Sequence, residues 1–204
     1  MDLPVFVVSL CLVFRVSSFP TGGPLSACSH LMPVHIDGEL QEGAPPYVLI
    51  LNDTTYGSHP LKLTVSAIGP SARDFMAFML QARSEFGQTA GHFAEVPMAS
   101  KTMTCYGDDD TLTHTAAFIR PSMEVTWYPP PKNIGKISIT GSIAVSKAKF
   151  WAVESAAIHG TGKMDLSGAP SRPGGGNGSP GLAGHVTGWT LLAVVLATKF
   201  FKLF

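Results

Sequence analysis

The sequence predicts an all-β domain, a sandwich or barrel of short strands. Three observations carry this expectation. Apolar and polar residues alternate with a period of two in several stretches, as on a half-buried strand. Clusters of Gly, Pro, Asn and Asp separate these stretches. Only one segment carries a competing helical pattern.

The strands follow in chain order. Residues 47–51 (YVLIL) form a short, continuous apolar run of the fully buried type. Residues 61–66 (LKLTVS) alternate. Met123, Val125 and Trp127 share one face, with Glu124, Thr126 and Tyr128 on the other. Ile137, Ile139, Ile143 and Val145 share a face, opposite Ser138, Thr140 and Ser142. Gly141 falls in the apolar register, which points to a bulge or a close backbone approach. Turns are expected at Asn52-Asp53, at Gly57-Ser58-His59-Pro60, at Gly107 with its three aspartates, and at Pro129-Pro130-Pro131. The segment 71–83 is ambiguous. Ser71 and Asp74 imitate a capping box, and helix formers follow. Yet 75–80 is also an apolar run that a sandwich centre would absorb, and periodicity does not separate the two.

The ends differ in kind from this middle. Residues 3–14 (LPVFVVSLCLVF) have the length and position of a secretory h-region, followed by Val16-Ser17-Ser18. Residues 1–18 are expected to be a signal peptide cleaved after Ser18, although Asp2 is unusual there and Arg15 follows the run; a buried N-terminal strand is the alternative. The folded domain is expected over 19–159. Residues 160–184, rich in Gly, Pro and Ser, read as a disordered linker. Residues 185–204 form an apolar tail. Small residues at 174–179, a spacer and the run 189–197 have the layout of a GPI-attachment signal, with Asn177 or Gly178 as the attachment residue. A single-pass membrane anchor is the rival; Lys199 and Lys202 fit neither ideal. The protein is therefore expected outside the cell, secreted or held at the surface by its tail.

Composition and motifs exclude several functions. A net charge of zero offers no basic field for nucleic acid. Of the three cysteines, Cys11 leaves with the signal peptide. Cys28 and Cys105 remain, and a pair in an oxidising compartment most often forms a disulfide; two free thiols are the alternative. His30, His35 and His114 are the chemical candidates, but none has zinc-site spacing, and they read as surface or structural residues. There is no G-x-S-x-G elbow, no phosphate-binding loop and no dinucleotide fingerprint; Gly174-Gly175-Gly176 sits in the linker. Asp108-Asp109-Asp110 lacks a calcium-loop pattern and reads as a solvated acidic loop. Phe150, Trp127 and Trp151 could stack on a glycan, but aromatic residues on strands belong first to the core. Asn52-Asp53-Thr54 is a glycosylation sequon in a turn, and Asn177-Gly178-Ser179 a second one weakened by Pro180. No enzyme, cofactor or metal site is expected.

Taken in order, these residues resemble the Reeler (reelin-type) domain. The resemblance runs from Phe19 to Ser155. It begins with Phe19-Pro20-Thr21-Gly22-Gly23-Pro24, Cys28, Met32-Pro33 and His35, then Pro46-Tyr47. It continues through the phenylalanine-rich 75–83 ending in Gln81-Ala82-Arg83, then Gly91-His92-Phe93, Cys105 and Thr113-His114. Trp127 with Pro129 or Pro130, Gly135 and Phe150-Trp151 complete it. Tyr56-Gly57-Ser58-His59-Pro60 departs from the family's usual Tyr-x-Pro-Gly turn. The resemblance implies an antiparallel, immunoglobulin-like β-sandwich. It implies a strand at 75–83 and supports a Cys28–Cys105 bridge. Family members that reduce ferric chelates carry further domains this sequence lacks, so that activity is not carried over. The expected function is a non-enzymatic extracellular binding module, of the kind seen in single-domain insect defence proteins. Its ligand is unknown: a microbial surface, a glycan or a matrix protein. A matrix or adhesion module is the alternative.

Overall fold

Twelve strands and one short 3-10 helix (Leu25–Ala27) make up the residues described by the computed structural model, 21–33, 38–70, 72–165 and 167. Residues 1–18, His35, Asn177, Gly178 and the tail 185–204 lie outside the described residues. Those described all belong to one compact unit, 1–170.

The alternating stretches become the inner faces of two sheets. The strands β2 (Tyr47–Leu51), β4 (Leu61–Ala67), β9 (Ser122–Tyr128) and β6 (His92–Ala94) form a four-stranded antiparallel sheet in that spatial order. The larger sheet runs β1 (Glu39–Leu40), β11 (Lys149–Glu154), β10 (Lys136–Ala144), β5 (Ala77–Ser84), β8 (Thr111–His114) and β7 (Ser100–Met103). There β12 (Ile158–Gly160) also pairs with β10 and with β3 (Thr55–Tyr56). Leu63, Val65, Val125 and Trp127 of the small sheet meet Leu80, Ile139 and Ile143 of the large one in a shared core. Trp127 is fully buried, and its indole N–H donates to the Ala90 carbonyl at 3.0 Å.

Most pairings are antiparallel, as the sandwich expectation requires. Two short ones are parallel, β1 with β11 and β12 with β3. The segment with helical propensity is strand from Ala77 onward. The reason is tertiary. β5 sits between β10 and β8, and both of its faces are covered, so a continuous apolar run suits it better than a one-sided helix. Phe78, Leu80 and Ala82 face the core between the sheets, while Met79 belongs to a second cluster on the outer face. Gly141 makes the close backbone approach its register implied: a Cβ there would run into the Met79 carbonyl oxygen of β5.

Two expectations need correction. β2 is not buried on both faces. It is an edge strand with Tyr47 and Leu49 turned inward and Ile50 56% exposed, because none of the described residues covers the outer face of the small sheet there. The ordered chain also continues past 159. The Asp165 N–H donates to the Asn133 carbonyl at 2.6 Å, and Lys132 pairs with the Asp165 carboxylate at 2.8 Å. That lysine, aided by bonds from Ser167, holds the Asp165 carboxyl well below the usual carboxylate range. No helix among the described residues is long and apolar enough to cross a membrane.

Candidate ligand-binding site

The outer face of the large sheet is where the sequence does something a plain sandwich does not. Residues 21–33 lie across that face and are fixed there by side chains that strand alternation points outward. Cys28 is bonded to Cys105, with Cα atoms 5.6 Å apart. Closing so long a loop contributes about 4 kcal/mol on the chain-entropy account. The Arg83 guanidinium donates to the Cys28 carbonyl at 2.8 Å, and its Nε donates to Gln81 Oε1 at 2.8 Å. Gln81, fully buried, passes the chain on to Thr111 Oγ1 at 2.8 Å. The Ser142 hydroxyl donates to the Leu31 carbonyl at 2.6 Å, and the Gly23 N–H donates to Thr113 Oγ1 at 2.9 Å. Leu31 closes the segment with φ +58°, a left-handed conformation that a leucine holds only where its surroundings fix it.

Asp110, the last of the three aspartates, has a structural task, while the other two are exposed as expected. Asp110 is 2% exposed, and its carboxylate accepts the N–H groups of Cys105, Tyr106 and Gly107, each at 2.9 Å. It shapes the loop that presents Cys105 to Cys28. Asp108 and Asp109 are exposed, and Asp109 accepts from the Thr102 hydroxyl at 2.5 Å. No cluster that could hold a metal ion occurs among the described residues.

Between the anchored segment and the sheet a cavity of about 350 Å³ remains. Its walls are Met32, Met76, Met79, Pro24, Pro33 and Ala144, with His114 and Lys147 also lining it. The size falls within the range of small-molecule sites, about 300–1,000 Å³. Of the two described histidines considered from sequence, His30 and His114, His114 borders the cavity. Its Nδ1 lies 3.3 Å from the Phe78 carbonyl oxygen, and its ring meets the Phe78 ring edge-on at 6.1 Å. His30 is exposed and its ring nitrogen accepts the Met32 N–H at 3.0 Å.

The aromatic candidates for a stacking face belong to the core. Trp127 is buried at the centre, and Trp151 packs edge-on against Tyr47 at 5.5 Å. Phe150 is 5% exposed. Burial beside Trp127 also pushes the Tyr56 phenol above its ordinary pKa; its hydroxyl donates to the Gly135 carbonyl at 2.7 Å. A shallower concavity of about 560 Å³ lies beside the Pro129-Pro130-Pro131 turn, with Tyr128 and Lys132 on its wall. His92 stacks on Tyr128 there, rings 5.0 Å apart and nearly parallel. Asn52 is exposed in its turn, with its side-chain oxygen accepting the Lys62 N–H at 2.9 Å.

The sheet order, the bridge and the bound N-terminal segment can be set against known proteins. The Reeler domain family model matches residues 26–165, well over half of the chain. The chain belongs to the Reeler family. Defense protein l(2)34Fc of Drosophila melanogaster is 30% identical over 151 residues, which cover 72% of this chain and 91% of that one. The reeler domain of human F-spondin superposes with a TM-score of 0.51 at 21% identity, over 61% of this chain and 96% of that one. A second structure, the Reelin-N domain of F-spondin, gives 0.52 at 20% identity, over 62% and 94%. These two likenesses establish the Reeler fold alone. The family match extends to Asp165, in agreement with the contacts of Lys132 and Asn133 and past the boundary expected at 159.

The cavity itself was not legible in the sequence. Met76 and Met79 stand out only as part of an apolar run. What separates them from core is that the N-terminal segment covers the outer face of the sheet incompletely, and that depends on the bridge and on Arg83.

Proposed function

We propose that this Reeler domain is a non-enzymatic, extracellular binding module of the defence type. The observation that carries the reading is the extent of the likeness to the Drosophila defense protein, which spans 91% of that chain. The Cys28–Cys105 bridge supports an oxidising compartment. The exposed sequon at Asn52 supports passage through the secretory pathway, with a glycan there that Asn52→Gln removes. Surface attachment through the tail, with Asn177 or Gly178 as the GPI site, completes the proposal.

A matrix or adhesion role is the second reading. The stacked His92–Tyr128 pair beside the proline turn favours it, since an exposed aromatic face suits sugar rings. The test applies the secreted protein to intact bacteria and to an array of matrix glycans. Saturable retention on bacteria is expected. Retention on matrix glycans alone would replace the first reading by the second, and retention on neither would refute both.

A further inference from the structure

We infer that the cavity under the N-terminal segment is a site for a single-chain amphiphile with an anionic head, a long-chain fatty acid. This rests on the binding-module reading and names the class of ligand. An apolar cavity of about 150 Å³ already takes up benzene; this one is about 350 Å³. Its walls suit a flexible chain. Met32, Met76 and Met79 supply three adaptable, polarisable thioethers beside Pro24 and Pro33. Polar side chains are few on the described lining: Ser142, whose hydroxyl proton goes to the Leu31 carbonyl, with Ser146, His114 and Lys147. The strand backbones of the wall are likewise paired, Met79 with Ser142 and Thr113, and Ala77 with Ala144.

The charge at the cavity selects the head. Among the described residues, Lys147 is the one lining residue with a permanent charge, and none of them brings a carboxylate to the cavity. Lys147 is exposed and sits in the turn between β10 and β11. The Ser146 hydroxyl fixes that turn by accepting the Ala148 and Lys149 N–H groups, at 3.2 and 3.1 Å. Lys147 therefore lines the cavity from a held turn. Ala117, on another wall, belongs to the run Ala116-Ala117-Phe118-Ile119, in which Phe118 and Ile119 are 41% and 61% exposed. Exposed apolar side chains thus follow the lining residue Ala117 in the chain.

The test titrates the secreted protein with cis-parinaric acid, a fluorescent fatty acid, and then displaces it. Palmitate is expected to displace it at one site per chain. Hexadecyltrimethylammonium, with the same chain and the opposite charge, is expected not to. Lys147→Glu should weaken palmitate binding about tenfold, since it removes one exposed attraction and adds a repulsion. Ala117→Trp should block uptake of both probes. Unchanged thermal midpoints would show that both variants fold. Absence of saturable uptake would overturn the inference, and so would equal displacement by both heads. Binding that ignores both substitutions, or binding to phospholipid vesicles without binding of palmitate, would do the same. Retention on bacteria without palmitate uptake would leave the surface-binding module standing and remove the fatty-acid site.

Discussion

At the scale of single residues, backbone and burial decide more than side-chain chemistry. Gly141 stands in an apolar register where an isoleucine would be expected, because β10 and β5 pass too closely there for any Cβ. Gly141→Ala should destabilise the domain by about 2–3 kcal/mol, as other overpacked sites do, measured by urea unfolding. Tyr56 supplies a pH dependence. Desolvation by burial holds its phenol at a folded pKa above the ordinary value of 10.0. The folded state thus holds this proton more tightly than the unfolded one. Stability contributed here is intact below the unfolded value and is lost as pH rises through the folded one. Chemical denaturation at increasing alkaline pH should show that loss. Tyr56→Phe should flatten it, at a cost of about 1–3 kcal/mol near neutrality from the unpaired Ile134 N–H and Gly135 carbonyl. The glycine's role was legible from its register. The tyrosine's was not, since its partners lie 78 and 79 residues away.

At the scale of elements, the decisive piece is the N-terminal segment. Gly22 lies against β8 with φ +112°, and a Cβ there would stand 2.7 Å from the His114 carbonyl oxygen, so the segment is pressed onto the sheet. Cys28, Leu31 and Met79 form a small second core with Ala27. Cys105→Ser should therefore destabilise by about 2–5 kcal/mol and expose the segment 21–33 to limited proteolysis while the main core persists. Calorimetry and mapping of the first cuts would check both. The strands were legible wherever one face is buried: 61–66, 123–128 and 137–145 all carry the period in their side chains. β5 was not, because burial on both faces erases alternation and leaves propensity to argue for a helix. Only the family resemblance identified it as a strand. β2 misled in the opposite sense: Ile50 is apolar on an open face. The disulfide followed from cysteine number and compartment, but its consequence, a roofed cavity, needed the hydrogen bonds of Arg83 and Ser142.

At the scale of the whole molecule, the sandwich carries a covered outer face, and the proposed ligand site lies on that face. If the tail is a GPI signal, phosphatidylinositol-specific phospholipase C should release the protein from intact expressing cells. Retention together with a detectable epitope placed after Phe204 would establish a membrane-spanning tail instead. The central claim is that ligand enters between the N-terminal segment and the large sheet. Hydrogen–deuterium exchange on the secreted protein, free and bound to bacterial envelope fragments, tests it most directly. Added protection is expected at 22–33, 76–79, 114–117 and 142–147. Protection confined to 56–58 and 128–133, with the N-terminal segment unchanged, would contradict it.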